Sequence, residues 1–117
     1  MKTSQALTIN RNDTVRKIIR YLGNDPIIVI PESIEEIGEG AFDKCSNLKE
    51  VYCKAVIPPK VKWKSGSNHD LFKNNSPGRK IYVPYESVDA YKKASLWRIY
   101  AKDIVGFDFE EDIKDFV

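Results

Sequence analysis

Histidine, methionine and cysteine are nearly missing from this chain of 117 residues, which holds one, one and two of them. Cys45 and Cys53 are too few for a disulfide framework and stand outside any Cys-x-x-Cys spacing, which excludes a zinc ribbon or a thiol-exchange motif. Each is expected to act as a small buried apolar residue. His69 has no second ligand at metal-binding spacing, so no dedicated zinc site is expected. No apolar run approaches the roughly 20 residues of a membrane-spanning helix. The start Met1-Lys2-Thr3-Ser4-Gln5 leads into no apolar stretch of a secretory signal, so either the protein stays inside the cell or the chain is a piece of a longer one. Gly38-Glu39-Gly40 lacks the third glycine of a dinucleotide fingerprint, Asp43 standing at that spacing. No cofactor is implied.

What is present suits a single soluble domain. Hydrophobic residues make up 42% and charged residues 31%, enough for a core without staples. The net charge of +2 is unevenly placed. Residues 1–102 carry 18 basic and 11 acidic side chains, whereas 103–117 carry one lysine and six acids. The densest basic run is Lys54, Lys60, Lys62, Lys64, Lys73, Arg79 and Lys80, opposed by Asp70 alone. With Trp63 between Lys62 and Lys64, it supports an alternative reading as a nucleic-acid-binding stripe. A solvated face, with Trp63 packed across the layer below its loop, is the reading preferred here.

Along the chain, Ala6-Leu7-Thr8-Ile9 suits a short strand. Val15, Ile18, Ile19 and Leu22 then recur at i, i+3, i+4 and i+7, with Arg16, Lys17 and Arg20 on the other face. That spacing predicts an amphipathic helix; a strand over 15–21 paired with 6–9 is the competing reading. Pro26-Ile27-Ile28-Val29-Ile30-Pro31 is a β-branched run bracketed by prolines, which reads as a strand. Ile28-Val29-Ile30, Val51-Tyr52-Cys53, Ile81-Tyr82-Val83 and Ile104-Val105-Gly106 echo one another at intervals of 23, 30 and 23 residues. A period of about 23 falls within the range of leucine-rich repeats. Seven inserted residues, placed in the polar loop Lys64-Ser65-Gly66-Ser67-Asn68-His69, account for the longer interval. The same offset of 30 aligns Gly40-Ala41-Phe42 with Asp70-Leu71-Phe72.

The stretch from Ile30 to Cys53 resembles a BspA-type leucine-rich repeat, with the pattern I-P-x-S-[IV]-x-x-I-G-x-x-A-F-x-x-C-x-x-L-x-x-[IV] almost completely filled. Ile81-Tyr82-Val83-Pro84-Tyr85-Glu86-Ser87-Val88-Asp89-Ala90-Tyr91-Lys92, followed by Leu96-Trp97 and Ile104, is similar to the closing segment of such proteins. The resemblance covers about residues 22–106, and the unit at 54–80 departs from it by losing the Ile-Gly pair and the cysteine. It implies an α/β repeat fold: a short leucine-rich-repeat solenoid of about four layers with parallel β-strands. Residues 1–25 are expected to form a helical N-terminal cap, 26–84 the repeat layers, and 85–117 a C-terminal closing segment with a helix just beyond Pro84. Phe107 and Phe109 extend an alternating pattern, and the tail is expected to cap the open end. The resemblance also implies surface recognition or adhesion at a bacterial cell surface or in secretion.

Residues suited to chemistry are few. Ser65, Ser67, His69 and Asp70 crowd one loop, whereas a catalytic triad needs separately positioned supports. Glu35, Glu36 and Glu39 are expected to face water. Asn12-Asp13-Thr14 and Asn74-Asn75-Ser76 match the short glycosylation sequon, which arises readily by chance. The functional expectation rests on strand parity instead. If Ile28, Ile30, Val51, Cys53, Ile81 and Val83 point inward, then Val29, Tyr52, Tyr82 and Val105 form an outward column with strands about 4.8 Å apart. Beside it, Glu50, Lys80 and Asp103 alternate in sign and suit cross-strand pairing. A ladder of aromatic and apolar residues fits a non-enzymatic protein-binding face with Trp63 on its rim. The opposing reading has the ladder covered by the N-terminal segment or serving sheet formation alone.

Overall fold

A computed structural model describes residues 7–10, 17–21, 23–38, 40–61 and 71–109. Within them the chain forms strands β1 (Leu7–Asn10), β2 (Lys17–Tyr21), β3 (Ile27–Ile30), β4 (Glu36–Ile37), β5 (Glu50–Cys53), β6 (Lys60–Val61) and β7 (Lys80–Pro84). Helix α1 (Val88–Lys93) and strand β8 (Ile104–Phe107) follow, with 3-10 turns at Tyr85–Ser87 and Trp97–Asp103. The strands make two sheets, in the orders β1-β2-β4-β6 and β3-β5-β7-β8. All pairings are parallel except that of β1 with β2. From β2 to β7 the chain alternates between the sheets, so the parallel pairs among these strands are each joined through the other sheet, whereas β7 and β8 are joined through α1.

The intervals seen in the sequence become register. Ile28 pairs with Val51, Val51 with Ile81, and Ile81 with Ile104, all in the core. Ile18, Ile37 and Val61 supply the facing side from the second sheet. The offset of 30 also holds in space. Phe42 and Phe72 are fully buried and stack at 5.5 Å and 14°, and the Phe42 amide donates to the Leu71 carbonyl at 3.2 Å. Burying such a ring stabilises by about 1.5–3 kcal/mol, and its stacking partner adds about 1 kcal/mol. Gly40 sits at φ +60°, the left-handed region that a residue with a Cβ rarely adopts.

The helix expected on Val15, Ile18, Ile19 and Leu22 is not formed over its described part: Lys17–Tyr21 is a strand between β1 and β4, as the competing reading that paired 15–21 with 6–9 had it. The pairing of β1 with β2 is irregular. Leu7 faces Tyr21 while Ile9 faces Ile18, so two steps on β1 oppose three on β2. The extra residue breaks the period of two and turns both Ile18 and Tyr21, three apart, into the core. Two backbone bonds hold the strand, from Gly38 to the Ile18 carbonyl at 2.7 Å and from Tyr21 to the Ala41 carbonyl at 2.9 Å.

The helix expected beyond Pro84 is present as α1, entered through a 3-10 turn. Tyr91 is fully buried and Val88 packs on the core, while Ser95 is exposed. Three side chains tie this segment to the loop after β5. Ser87 Oγ donates to the Val56 carbonyl at 2.6 Å, Tyr91 Oη to Ala55 at 2.6 Å, and Trp97 Nε1 to Pro59 at 2.9 Å.

Candidate functional site

The parallel register sets Val29, Tyr52, Tyr82 and Val105 side by side on one face of the β3-β5-β7-β8 sheet. Because neighbouring strands lie about 4.8 Å apart, rings from one column are held in near contact. Tyr52 and Tyr82 stack at 4.7 Å with planes 14° apart. Val29, Tyr52 and Tyr82 are half-buried, whereas Val105 is exposed. Trp63, expected on the rim, lies outside the described residues.

Two residues not counted in the ladder complete it. Phe107 shares the outward parity of Val105 and meets Tyr52 edge-on at 5.2 Å and Tyr82 at 5.8 Å. Phe109 meets Tyr52 at 6.4 Å and Phe107 at 4.9 Å, again edge-on. Such T-shaped contacts set the positive ring edge against the negative ring face. The alternation of Val105, Phe107 and Phe109 is the sequence signal for this placement. These phenylalanines lie against the outward face; residues 110–117 of the tail expected to cap the open end lie outside the described residues.

The flanking charges are arranged differently from the expected alternating column. Glu50 faces Lys80 in register, yet its Oε1 accepts from Tyr52 Oη at 2.7 Å. Asp103 lies in the turn before β8 and takes Arg79, its Oδ2 2.8 Å from Nη1. The Arg79 guanidinium sits 5.1 Å from the Phe72 ring and 4.9 Å from the Tyr100 ring. It also donates to Asn75 Oδ1 at 3.3 Å and to the Phe72 carbonyl at 3.4 Å. Asn75 in turn donates to the carbonyls of Phe42 at 2.8 Å and Cys45 at 3.2 Å, so Asn75, the middle residue of the sequon match, and the basic-run Arg79 tie this turn to the segment around Phe42. Of the rest of that run, Lys60, Lys73 and Lys80 are exposed and Lys54 is half-buried; Lys62 and Lys64 lie outside the described residues.

Among residues suited to chemistry, Ser65, Ser67, His69, Asp70 and Glu39 fall outside the described part. Glu35 is exposed, and Glu36 pairs with Lys17 at 3.0 Å across β2 and β4. Both cysteines are free and buried, the placement expected of small apolar residues. Burial pushes the Cys53 thiol up to about 11, against the smaller lowering effect of its contact with Tyr91. Sγ lies 3.2 Å from Tyr91 Oη, whose own proton goes to Ala55, so the thiol donates. Burial and the nearby Cys53 push Tyr91 upward as well. Burial and Asp43 raise Cys45.

A groove of about 460 Å³ was not foreseen. Glu32, Ile34, Glu35, Val56, Ile57 and Lys60 are among its lining residues, and Val56 and Ile57 are 54% and 81% exposed. Its sequence signal is the apolar run Ala55-Val56-Ile57-Pro58-Pro59 directly after a strand. Among the described residues, no group of three His, Cys, Asp or Glu is placed to hold a metal ion, and no helix is long and apolar enough to cross a membrane. Compared with known protein families and with curated proteins, the chain matches none.

Proposed function

We propose that this chain is a short BspA-type leucine-rich-repeat solenoid serving as a non-enzymatic protein-interaction module. The outward face of the β3-β5-β7-β8 sheet is the binding surface, with surface recognition or adhesion on a bacterial cell as its use. One observation carries this reading: the column Val29, Tyr52, Tyr82 and Val105 is in register, holds a stacked tyrosine pair, and stays partly open to solvent. Interfaces favour tyrosine and phenylalanine in such positions, because a rigid ring brings large contact area at little entropic cost.

The test is capture of a partner by the wild-type chain, followed by titration against Tyr52→Ala combined with Tyr82→Ala. Loss of at least tenfold in affinity by a folded double variant is expected, since central aromatic anchors carry about 2 kcal/mol or more of binding. Unchanged affinity removes the ladder as the site.

A further inference from the structure

The groove of about 460 Å³ has its origin in a mismatch of loop lengths. Ile30 pairs with Cys53 and Glu36 with Lys60, so the loops joining β3 to β4 and β5 to β6 start and finish in register. The first spans residues 31–35 and the second residues 54–59, one residue more between the same two sheets. The longer loop therefore bows outward. Its ends stay tied to the shorter one, by the Lys54 amide on the Ile30 carbonyl at 3.0 Å and the Lys60 amide on the Glu35 carbonyl at 2.9 Å. From within, Ser87, Tyr91 and Trp97 hold the carbonyls of Val56, Ala55 and Pro59. Val56 and Ile57, 54% and 81% exposed, are thus presented to solvent on a fixed backbone. A binding loop ordered in advance loses little entropy when a partner docks.

Across the groove, the shorter loop supplies Glu32 and Glu35, both exposed. Among the described residues neither has an ion-pair partner. Two carboxylates against the single ammonium of Lys60 give the lining a net negative charge. An apolar pair faced by unpaired carboxylates complements a segment that is both apolar and basic. We propose that this groove docks an extended segment of a partner protein in which an aliphatic or aromatic side chain stands within two residues of an arginine or lysine. The apolar side chain packs on Val56 and Ile57, and the cation takes Glu32 and Glu35. Arginine binds more tightly than lysine there, because its planar fork matches a carboxylate. None of the ladder residues Val29, Tyr52, Tyr82 and Val105 lines the groove, so it is a second surface and stands independently of the ladder.

The probe is a library of random heptapeptides displayed on phage, selected on the full chain and counter-screened against Ile57→Ser. Clones that bind wild type and are lost on Ile57→Ser are expected, sharing an apolar side chain with a basic one within two residues of it. Made as free peptides and followed by fluorescence anisotropy, they should bind Ile57→Ser about tenfold more weakly than wild type. Glu32→Gln combined with Glu35→Gln should also weaken them about tenfold at low salt, and this effect should shrink as salt is added. All three positions are exposed, so the variants keep the fold, which circular dichroism checks. If Ile57→Ser alters the spectrum, the double glutamine variant replaces it in the counter-screen. No clone that depends on the groove positions, or dependent clones without a basic residue, overturns the proposal. Equal binding by wild type and the double glutamine variant overturns it as well. A wild-type dimer that Ile57→Ser dissociates assigns the groove to a second copy and has the same consequence. The chain with both Tyr52→Ala and Tyr82→Ala should bind the peptides as wild type does; peptides lost by that chain and kept by Ile57→Ser belong to the ladder and count against the groove.

Discussion

Tyr52 lies parallel to Tyr82 at 4.7 Å because the two strands that carry them are one sheet spacing apart and their residues are in register. Phe107 approaches both from a neighbouring column and meets them edge-on. Replacing either tyrosine by alanine removes a half-buried ring and its aromatic partners, a loss of about 2 kcal/mol. A double-mutant cycle on the pair, read by urea unfolding, should give a coupling near 1 kcal/mol. Zero coupling would mean that the stacking follows from strand spacing and contributes nothing of its own.

Arg79 is a structural clip, so its charge matters less than its shape. Three hydrogen-bond acceptors and two ring faces fit a planar guanidinium, which a lysine ammonium does not reproduce. Arg79→Lys should cost about 2 kcal/mol, and Arg79→Ala somewhat more, by stranding the partly exposed Asp103 carboxylate. Because Arg79 is buried, added salt should change the difference little. Chemical denaturation at low and high ionic strength reads both effects, and equal stability of wild type and Arg79→Lys would refute the clip.

Much of the β3-β5-β7-β8 sheet was legible because its signal recurs: similar three-residue apolar runs stand 23, 30 and 23 residues apart. Parity then assigned Val29, Tyr52, Tyr82 and Val105 to one column. The stretch from Val15 misled because strict alternation, the strand signal, is broken there: Ile18 and Tyr21, three apart, both turn inward across an irregular register. Arg79 was illegible for a different reason. Its partners, Asp103, Phe72 and Tyr100, meet only when the segment after α1 returns to the sheets, and composition alone counts it as one more surface cation. Phe107 and Phe109 were seen as an alternating pair, but the face they cover depends on where the chain turns after β8.

Exposure separates two isoleucines that flank the groove. Ile57 is 81% exposed and Ile34 is 2% exposed. Ile57→Ser should leave stability within about 0.5 kcal/mol of wild type, whereas Ile34→Ser should cost about 3 kcal/mol through lost burial and a cavity. Thermal unfolding of both variants checks this. A large loss at Ile57 would show that the loop after β5 is anchored by that side chain as well as by Ser87, Tyr91 and Trp97.

Alkaline pH should loosen the fold through Cys53. Burial raises its thiol from the ordinary 9.0 to about 11, so the folded state keeps a proton that the unfolded chain releases between those values. The stabilisation is fully present below pH 9 and is lost as pH rises toward 11, amounting to about 3 kcal/mol over the two-unit interval. Tyr91, raised in the same direction from its ordinary 10.0, steepens the fall above pH 10, and Cys45 contributes with the same sign. The measurement is the urea midpoint at steps from pH 7 to about 10 for wild type and for Cys53→Val, which keeps the volume and removes the proton. Wild type should weaken progressively above pH 9 and Cys53→Val should weaken less. Parallel curves would show that the thiol ionises alike in both states, which its full burial argues against.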